Sequence, residues 1–221
     1  MLKTIPAEIL GPHGGFFITA FVSFFVIIDP LANAFSFLSL SAGSTAQDKR
    51  DLARRSCLYA FLVLTGFLFL GELLLLAFGI TLAAFQIAGG LILFRIAFDM
   101  LEARGPFSRL DTSSSPVAAD YRNVALVPLA VPLVSGPGAI SAVLVLASRA
   151  PSRLDFFLIL AALSLVLVMT YACFRFAGPL AEFLKESGLR LITRLMGLIL
   201  AALAVQFVLE GVQQAVTPWF Q

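Results

Sequence analysis

The chain has 221 residues, of which 60% are hydrophobic and 13% charged, and its formal net charge is +2. A soluble domain carries about 45–50% apolar and about 25% charged residues; here the polar groups are too few to cover a water-soluble globule, and the mean hydropathy of +0.98 points to an integral membrane protein. The same figures exclude an intrinsically disordered chain, which is apolar-poor and charge-rich, and a nucleic-acid binder, which needs a basic stripe and a stronger field.

The stretch from Met1 to Gly15 has one lysine, Lys3, with Pro6 and Glu8 close behind, and no small-residue cleavage site after a clean apolar run. It does not read as a signal peptide, so the first apolar segment is expected to be retained. A helix needs about 20 mostly apolar residues to cross a bilayer. Six candidate spans follow, at 16–40, 57–78, 81–101, 123–147, 156–177 and 192–213.

Span one carries Asp29, Pro30 and Asn33 near its middle. A carboxylate at that depth is costly and is kept for a purpose. Proline removes a helical hydrogen bond and clashes with the preceding turn, which frees carbonyls around residues 26 and 27. Asn33 follows one turn later on the same face. Between spans one and two, Thr45 and Asp48 stand at capping-box spacing, marking a helix start. Only Gly79 and Ile80 separate spans two and three, which predicts a tight helical hairpin.

In span three, Arg95 and Asp99 have i, i+4 spacing near one end and read as an intrahelical pair or a snorkelling arginine, or else as lining a path. Gly89 and Gly90, with Gly197 opposite, predict close helix packing. Glu102 to Arg122 is the longest polar stretch and reads as a flexible linker. It divides the chain into 1–101, 102–122 and 123–221.

Span four contains Ser135, Gly136, Pro137, Gly138, Ala139 and Ser141. Two glycines around a proline break a helix, and a half-helix is expected to restart at Pro137 with Ser135 or Gly136 near its cap. Gln86 and Gln206 either line a path or bond between helices. Glu72 and Glu210 fall near an interface and read as solvated, as does the lone His13. Cys57 and Cys173 lie in apolar stretches and read as free thiols rather than a disulfide framework.

Lysine and arginine stay on the cytoplasmic side during insertion. Eleven of them (Lys49, Arg50, Arg54, Arg55, Arg104, Arg109, Arg122, Arg175, Lys185, Arg190 and Arg194) follow spans one, three and five, against three (Lys3, Arg149 and Arg153) on the other side. Both termini are therefore expected outside the cytoplasm.

An offset of 107 aligns Pro30 with Pro137, Gly71 with Gly178, and Gly90 to Leu93 with Gly197 to Leu200; Phe67 and Phe69 fall on Phe174 and Phe176. Helix-breaking positions that coincide point to duplication. Each unit holds an odd number of spans, so the second is inverted relative to the first, an arrangement common in secondary transporters. The expected fold is an all-α integral membrane protein of two inverted three-helix repeats, with helices one and four broken.

Irregular backbone at membrane depth is tolerated where it is buried or lines a cavity. Two facing breaks enclose a polar site: free NH groups at Gly138 and Ala139 suit a carboxylate, while released carbonyls and Asp29 suit an ammonium group, a proton or a cation. A small zwitterion matches both ends. No metal-ligand cluster, nucleophile–base set, phosphate loop or ATPase motif is present in the sequence, so neither an enzyme nor a cofactor is expected, and a coupling ion would be a proton or sodium.

At these residues the chain resembles the MarC family of six-span inner-membrane proteins of bacteria and archaea. The resemblance rests on Asp29-Pro30 with Asn33, on Phe78 to Ile80 with Ala84 to Gly90, on Pro128 to Ser141, and on Thr193 to Gly197, and it covers nearly the whole chain. Ala32 stands where the family usually has glycine and Phe35 where it has a second proline, so span one is expected to be less broken and substrate choice narrowed or changed. The resemblance implies transport of small neutral amino acids such as glycine or alanine across the inner membrane. An exporter of another small or amphipathic solute, and a non-transporting scaffold or sensor subunit, are the alternatives.

Overall fold

The computed structural model describes residues 7–41, 44–102, 134–150 and 152–217. Among these residues the chain is helical, without strands: α1 (Ala7–Ile28), α2 (Pro30–Leu40), α3 (Ala46–Ala77), α4 (Leu82–Leu101), α5 (Pro137–Ser148), α6 (Arg153–Arg175) and α7 (Ala177–Val216). Five stretches are long and apolar enough to cross a membrane: His13–Leu38, Ala46–Ala77, Leu82–Leu101, Arg153–Arg175 and Leu191–Val216. Of the fourth expected span, the described part is the 12-residue α5. Residues 123–133 and the linker expected at 102–122, apart from Glu102, lie outside the described residues. Large apolar side chains such as Leu62, Phe69, Leu76, Leu91, Phe157, Val168, Leu198 and Leu209 are exposed along these helices, as a bilayer-facing surface requires.

The local chemistry explains the boundaries. Thr45 caps α3 in a capping box, its hydroxyl accepting from the Asp48 N–H while the Asp48 carboxylate accepts from the Thr45 N–H. The expected helix start and span two are one continuous helix of 32 residues. The hairpin between α3 and α4 closes as a Schellman turn: Gly79 takes φ +66°, its N–H donates to the Leu76 carbonyl, and the Ile80 N–H donates to that of Leu75. Glycine enters that left-handed conformation without steric cost. Thr81 then caps α4 and Ser152 caps α6 by the same side-chain-to-N3 bond.

The tightest helix pair is α4 with α7, running antiparallel. A Cβ on Gly90 would stand 2.9 Å from the Ala204 carbonyl oxygen, one on Gly197 3.1 Å from that of Ala97, and one on Gly211 2.9 Å from that of Ala83. Ala83, Gly90 and Ala97 thus oppose Gly211, Ala204 and Gly197 at heptad spacing, forming a seam of small residues through which the two backbones touch. The sequence places Gly90 and Gly197 at this contact, although each faces an alanine rather than the other glycine. Half-helix α5 packs into α3 and α4, Leu144 lying over Gly71 and Ser141 over Gly89. α6 supplies the centre of the bundle, with Ile159, Ala162, Leu163 and Val166 fully buried against α1, α2 and α3.

Gly66, inside α3, has no atom within 4 Å of the place a Cβ would take. Gly66→Ala is therefore expected to stabilise the protein by about 0.5–1 kcal/mol through helix propensity alone. At this size that corresponds to a rise of roughly 1–4 °C in melting temperature, measurable in detergent by intrinsic fluorescence.

Candidate functional site

The break in the first span is one residue wide. Asp29 separates α1 from α2 with φ +45°, the only non-glycine positive φ among the described residues. Asparagine and aspartate tolerate this region better than other side chains because they bond to nearby backbone, and here Asp29 caps α2: its Oδ1 accepts from the Ala32 N–H at 3.1 Å. Pro30 follows as the first residue of α2, where its missing N–H and fixed φ cost nothing. The ladder resumes at once, the Asn33 N–H donating to the Asp29 carbonyl at 3.1 Å.

The two side chains the sequence pairs at this break do different work. The Asn33 side-chain amide donates to the Ile28 carbonyl, satisfying one of the acceptors left at the end of α1. Asn33 is thus committed to the backbone, which the sequence did not reveal. Asp29 is 93% buried, the remainder of its 7% exposure, and its second oxygen, Oδ2, has no hydrogen-bond partner. A buried polar atom left unpaired costs about 1–3 kcal/mol, more when charged, so an acceptor is held here without a donor among the described residues.

The second break forms as its residues require. Gly136 is the N-cap of α5 in extended conformation, φ −64° and ψ 171°, with Pro137 at the first helical position. Ser135, Gly138, Ala139 and Ser141 are buried. A Cβ on Gly138 would collide with Leu93 of α4, so that residue is a close packing point against α4. Ser141 directs its Oγ at Gly89, where a Cβ would occupy the same space; the hydroxyl is fully buried and unpartnered. α5 adjoins α1 and α4, and α2 adjoins α6 and α7.

Gln86 and Gln206 meet at a polar node, and Gln86 bonds between helices as one of its two expected roles; Glu210 and Arg149 as the partners were not foreseen. Glu210, expected to be solvated, accepts from Gln86 Nε2 at 3.1 Å across the α4–α7 interface, from Gln206 Nε2 at 3.0 Å within α7, and from the guanidinium of Arg149 at the end of α5. The reading of Glu210 as a bare interfacial acid is corrected: three helices converge on it. Gln86 is fully buried, and with its amide NH₂ committed to Glu210 its Oε1 is left without a partner. His13 is exposed, as expected, but is not alone. Its Nδ1 lies 2.8 Å from Asp155 Oδ1, and Ser152 Oγ bonds Asp155 Oδ2 at 2.7 Å, tying the start of α1 to the start of α6.

Arg95 and Asp99 stand apart from all this. Arg95 is exposed and Asp99 half-exposed, on the side of α4 away from the Gly90–Ala97 seam, and no ion pair joins them among the described residues. Cys57 and Cys173 are free thiols. No group of three or more His, Cys, Asp or Glu side chains able to hold a metal occurs among the described residues.

No solved structure matches the chain. Among curated sequences it is similar to a UPF0056 membrane protein of Methanocaldococcus jannaschii, 36% identical over 90% of this chain and 97% of the relative. It is also similar to the UPF0056 membrane protein YhcE of Escherichia coli, 32% identical over 87% of this chain and 90% of that one, and to YvbG of Bacillus subtilis, 29% identical over 90% and 94%. The model of the family described as MarC family integral membrane protein matches residues 14–216, and with the breaks at Asp29-Pro30 and Gly136-Pro137 inside that match, this multi-pass membrane chain belongs to the MarC family.

Proposed function

We propose that the chain is a secondary transporter of small neutral amino acids, glycine or alanine in size, built from two inverted three-span repeats that alternate access to a site between the broken helices. The observation that carries this reading is the Asp29 carboxylate: buried in mid-span, set at a helix break by a left-handed backbone, and holding one oxygen with no donor. A substrate ammonium or a coupling proton supplies that donor. The start of α5 at Gly138 and Ala139 receives the carboxylate at its positive end, and the closeness of Leu93 to Gly138 restricts it to a small solute.

Packing supports the repeat. At the offset of 107, Gly90 corresponds to Gly197 and Ala97 to Ala204. Gly90 rests on Ala204 and Gly197 on Ala97; replacing each residue by its counterpart returns the same pair of contacts, as a twofold axis between α4 and α7 demands. The α3–α5 contact has its counterpart in α2–α6, and α4–α5 in α2–α7. Phe37 stacks on Phe174 with centroids 4.7 Å apart, and their counterparts Leu144 and Phe67 lie together beside Gly71. The arginine and lysine bias supports an inner-membrane protein with both termini outside the cytoplasm.

Purified protein in liposomes is expected to take up or exchange labelled glycine and alanine with saturation, and varying pH and sodium gradients separately identifies the coupling ion. No flux of either amino acid under any gradient overturns the assignment, and saturable flux of a different solute class moves it to that class.

A further inference from the structure

We propose that Arg149, Glu210 and Gln86 form a second binding site for a small zwitterionic amino acid, away from Asp29, at the end of the bundle where α4 begins and α5 and α7 end. The inference rests on the transporter reading for the identity of the ligand, but its geometry is independent of the central break.

The three groups are layered from water inward. The Arg149 side chain is 47% exposed, Glu210 24% exposed, and Gln86 fully buried behind them. Arg149 is the C-cap of α5, where a cation is favoured by the helix dipole, and it crosses to the carboxylate of α7. Glu210 fixes the Gln86 amide, because a carboxylate accepts only from the NH₂ side. The Gln86 Oε1, in the amide that meets the carboxylate, is thereby left as a buried acceptor with no donor among the described residues. One turn further along α4, Ser141 Oγ rests on Gly89 and is equally unpartnered.

This set matches one ligand chemistry at both ends. An ion pair reachable by water contributes only about 0–1 kcal/mol, so opening it costs little. A zwitterion can open it without leaving a charge unpaired: its carboxylate replaces Glu210 on the Arg149 guanidinium, in the fork geometry arginine offers, and its ammonium takes the vacated Glu210 oxygen. That ammonium also brings the N–H donors that Gln86 Oε1 lacks. A ligand with only one charge pairs one partner and leaves the other to water, so it gains one charge-assisted contact where a zwitterion gains two. The site therefore discriminates for neutral amino acids before they reach the centre.

Equilibrium dialysis of labelled glycine against the full-length protein in detergent tests this. The Asp29→Asn protein is expected to keep a saturable glycine site, which Arg149→Gln or Glu210→Gln, added to it, weakens by tenfold or more. Alanine should compete there, whereas methylamine and acetate should not. Where a single variant fails to fold, the charge-swapped Arg149→Glu/Glu210→Arg chain restores the pair and should restore glycine binding with it. Four results overturn the site: binding lost with Asp29→Asn alone, binding indifferent to both outer variants, equal competition by methylamine or acetate, or a folded swapped chain that binds nothing. Glycine flux that persists with binding unchanged in the outer variants removes this site and leaves the transporter reading standing. Binding at Arg149 and Glu210 without flux in the wild-type chain removes only the transporter reading.

Discussion

Asp29→Asn is expected to lower glycine flux in proteoliposomes by about ten- to a hundredfold while the protein folds as before. Asparagine shares the tolerance for φ near +45° that this break demands, and its Oδ1 can still accept from the Ala32 N–H that caps α2. What disappears is the charge. A hydrogen bond to an ionised partner contributes about 1.5–3 kcal/mol, and each 1.4 kcal/mol is about a factor of ten in occupancy, which sets the size of the loss. Because the carboxylate has an oxygen buried without a partner, removing its charge also lifts a desolvation cost; the melting temperature should hold or rise. Helical circular dichroism and size-exclusion profile separate this from misfolding. Asp29→Leu is the contrasting variant: a left-handed leucine costs roughly 1–2 kcal/mol in backbone strain and forfeits the cap, so it should lose both flux and stability. Wild-type flux in Asp29→Asn would remove the carboxylate from transport and leave it a capping residue.

The second large effect concerns the α4–α7 seam. Gly90→Leu is expected to destabilise the protein by about 3 kcal/mol, the upper range for forcing bulk into a packed interface. That is a fall of roughly 6–12 °C in melting temperature for a chain of this length. The obstacle is backbone: the new Cβ would stand 2.9 Å from the Ala204 carbonyl oxygen, and an oxygen committed to a helix cannot swing aside as a side chain can. The helices must separate, taking with them the Gln86–Glu210 bond across the same interface. Gly66→Ala provides the internal comparison, since it enlarges a helical glycine where space is open. A Gly90→Leu protein that melts with the wild type would show that the two helices are not held together through this seam.

What was legible in the sequence, and what was not, divides by distance along the chain. The broken first span, the restart at Pro137 with Gly136 as cap, the Thr45–Asp48 box and the Gly79 hairpin are local events, fixed by one residue's allowed φ or one side chain's reach to the next turn. Span three at 81–101 against α4 at Leu82–Leu101 differs by one residue, because turn chemistry bounds it on its first side and charge on the other. Span two was underestimated: α3 begins at Ala46, because a charged amphipathic turn continues the helix beyond the apolar core that hydropathy detects. α7 is longer still, 40 residues against the expected 192–213. The side-chain partners were the hidden part. Glu210 meets Gln86 across 124 positions and Arg149 across 61, and His13 meets Asp155 across 142. Nothing in a local window predicts such pairings, and an acid near a span end has the same composition whether water or a guanidinium answers it. Asn33 shows the reverse error: its spacing from Asp29 invites a ligand role, but the open Ile28 carbonyl is nearer.

The reciprocal seam also has a history during synthesis. Gly90 and its counterpart Gly197 are separated by 107 residues, and ribosomes add about 5–20 residues per second, so α4 resides in the bilayer for roughly 5–20 s before α7 can meet it. Throughout that interval its bare glycine face is covered by acyl chains, and the amide NH₂ of Gln86 has no carboxylate to donate to. α7 is thus made well after the α4 whose interface it completes, and a nascent chain stopped short of Gly197 would leave a full-length α4 inserted with its groove still filled by lipid.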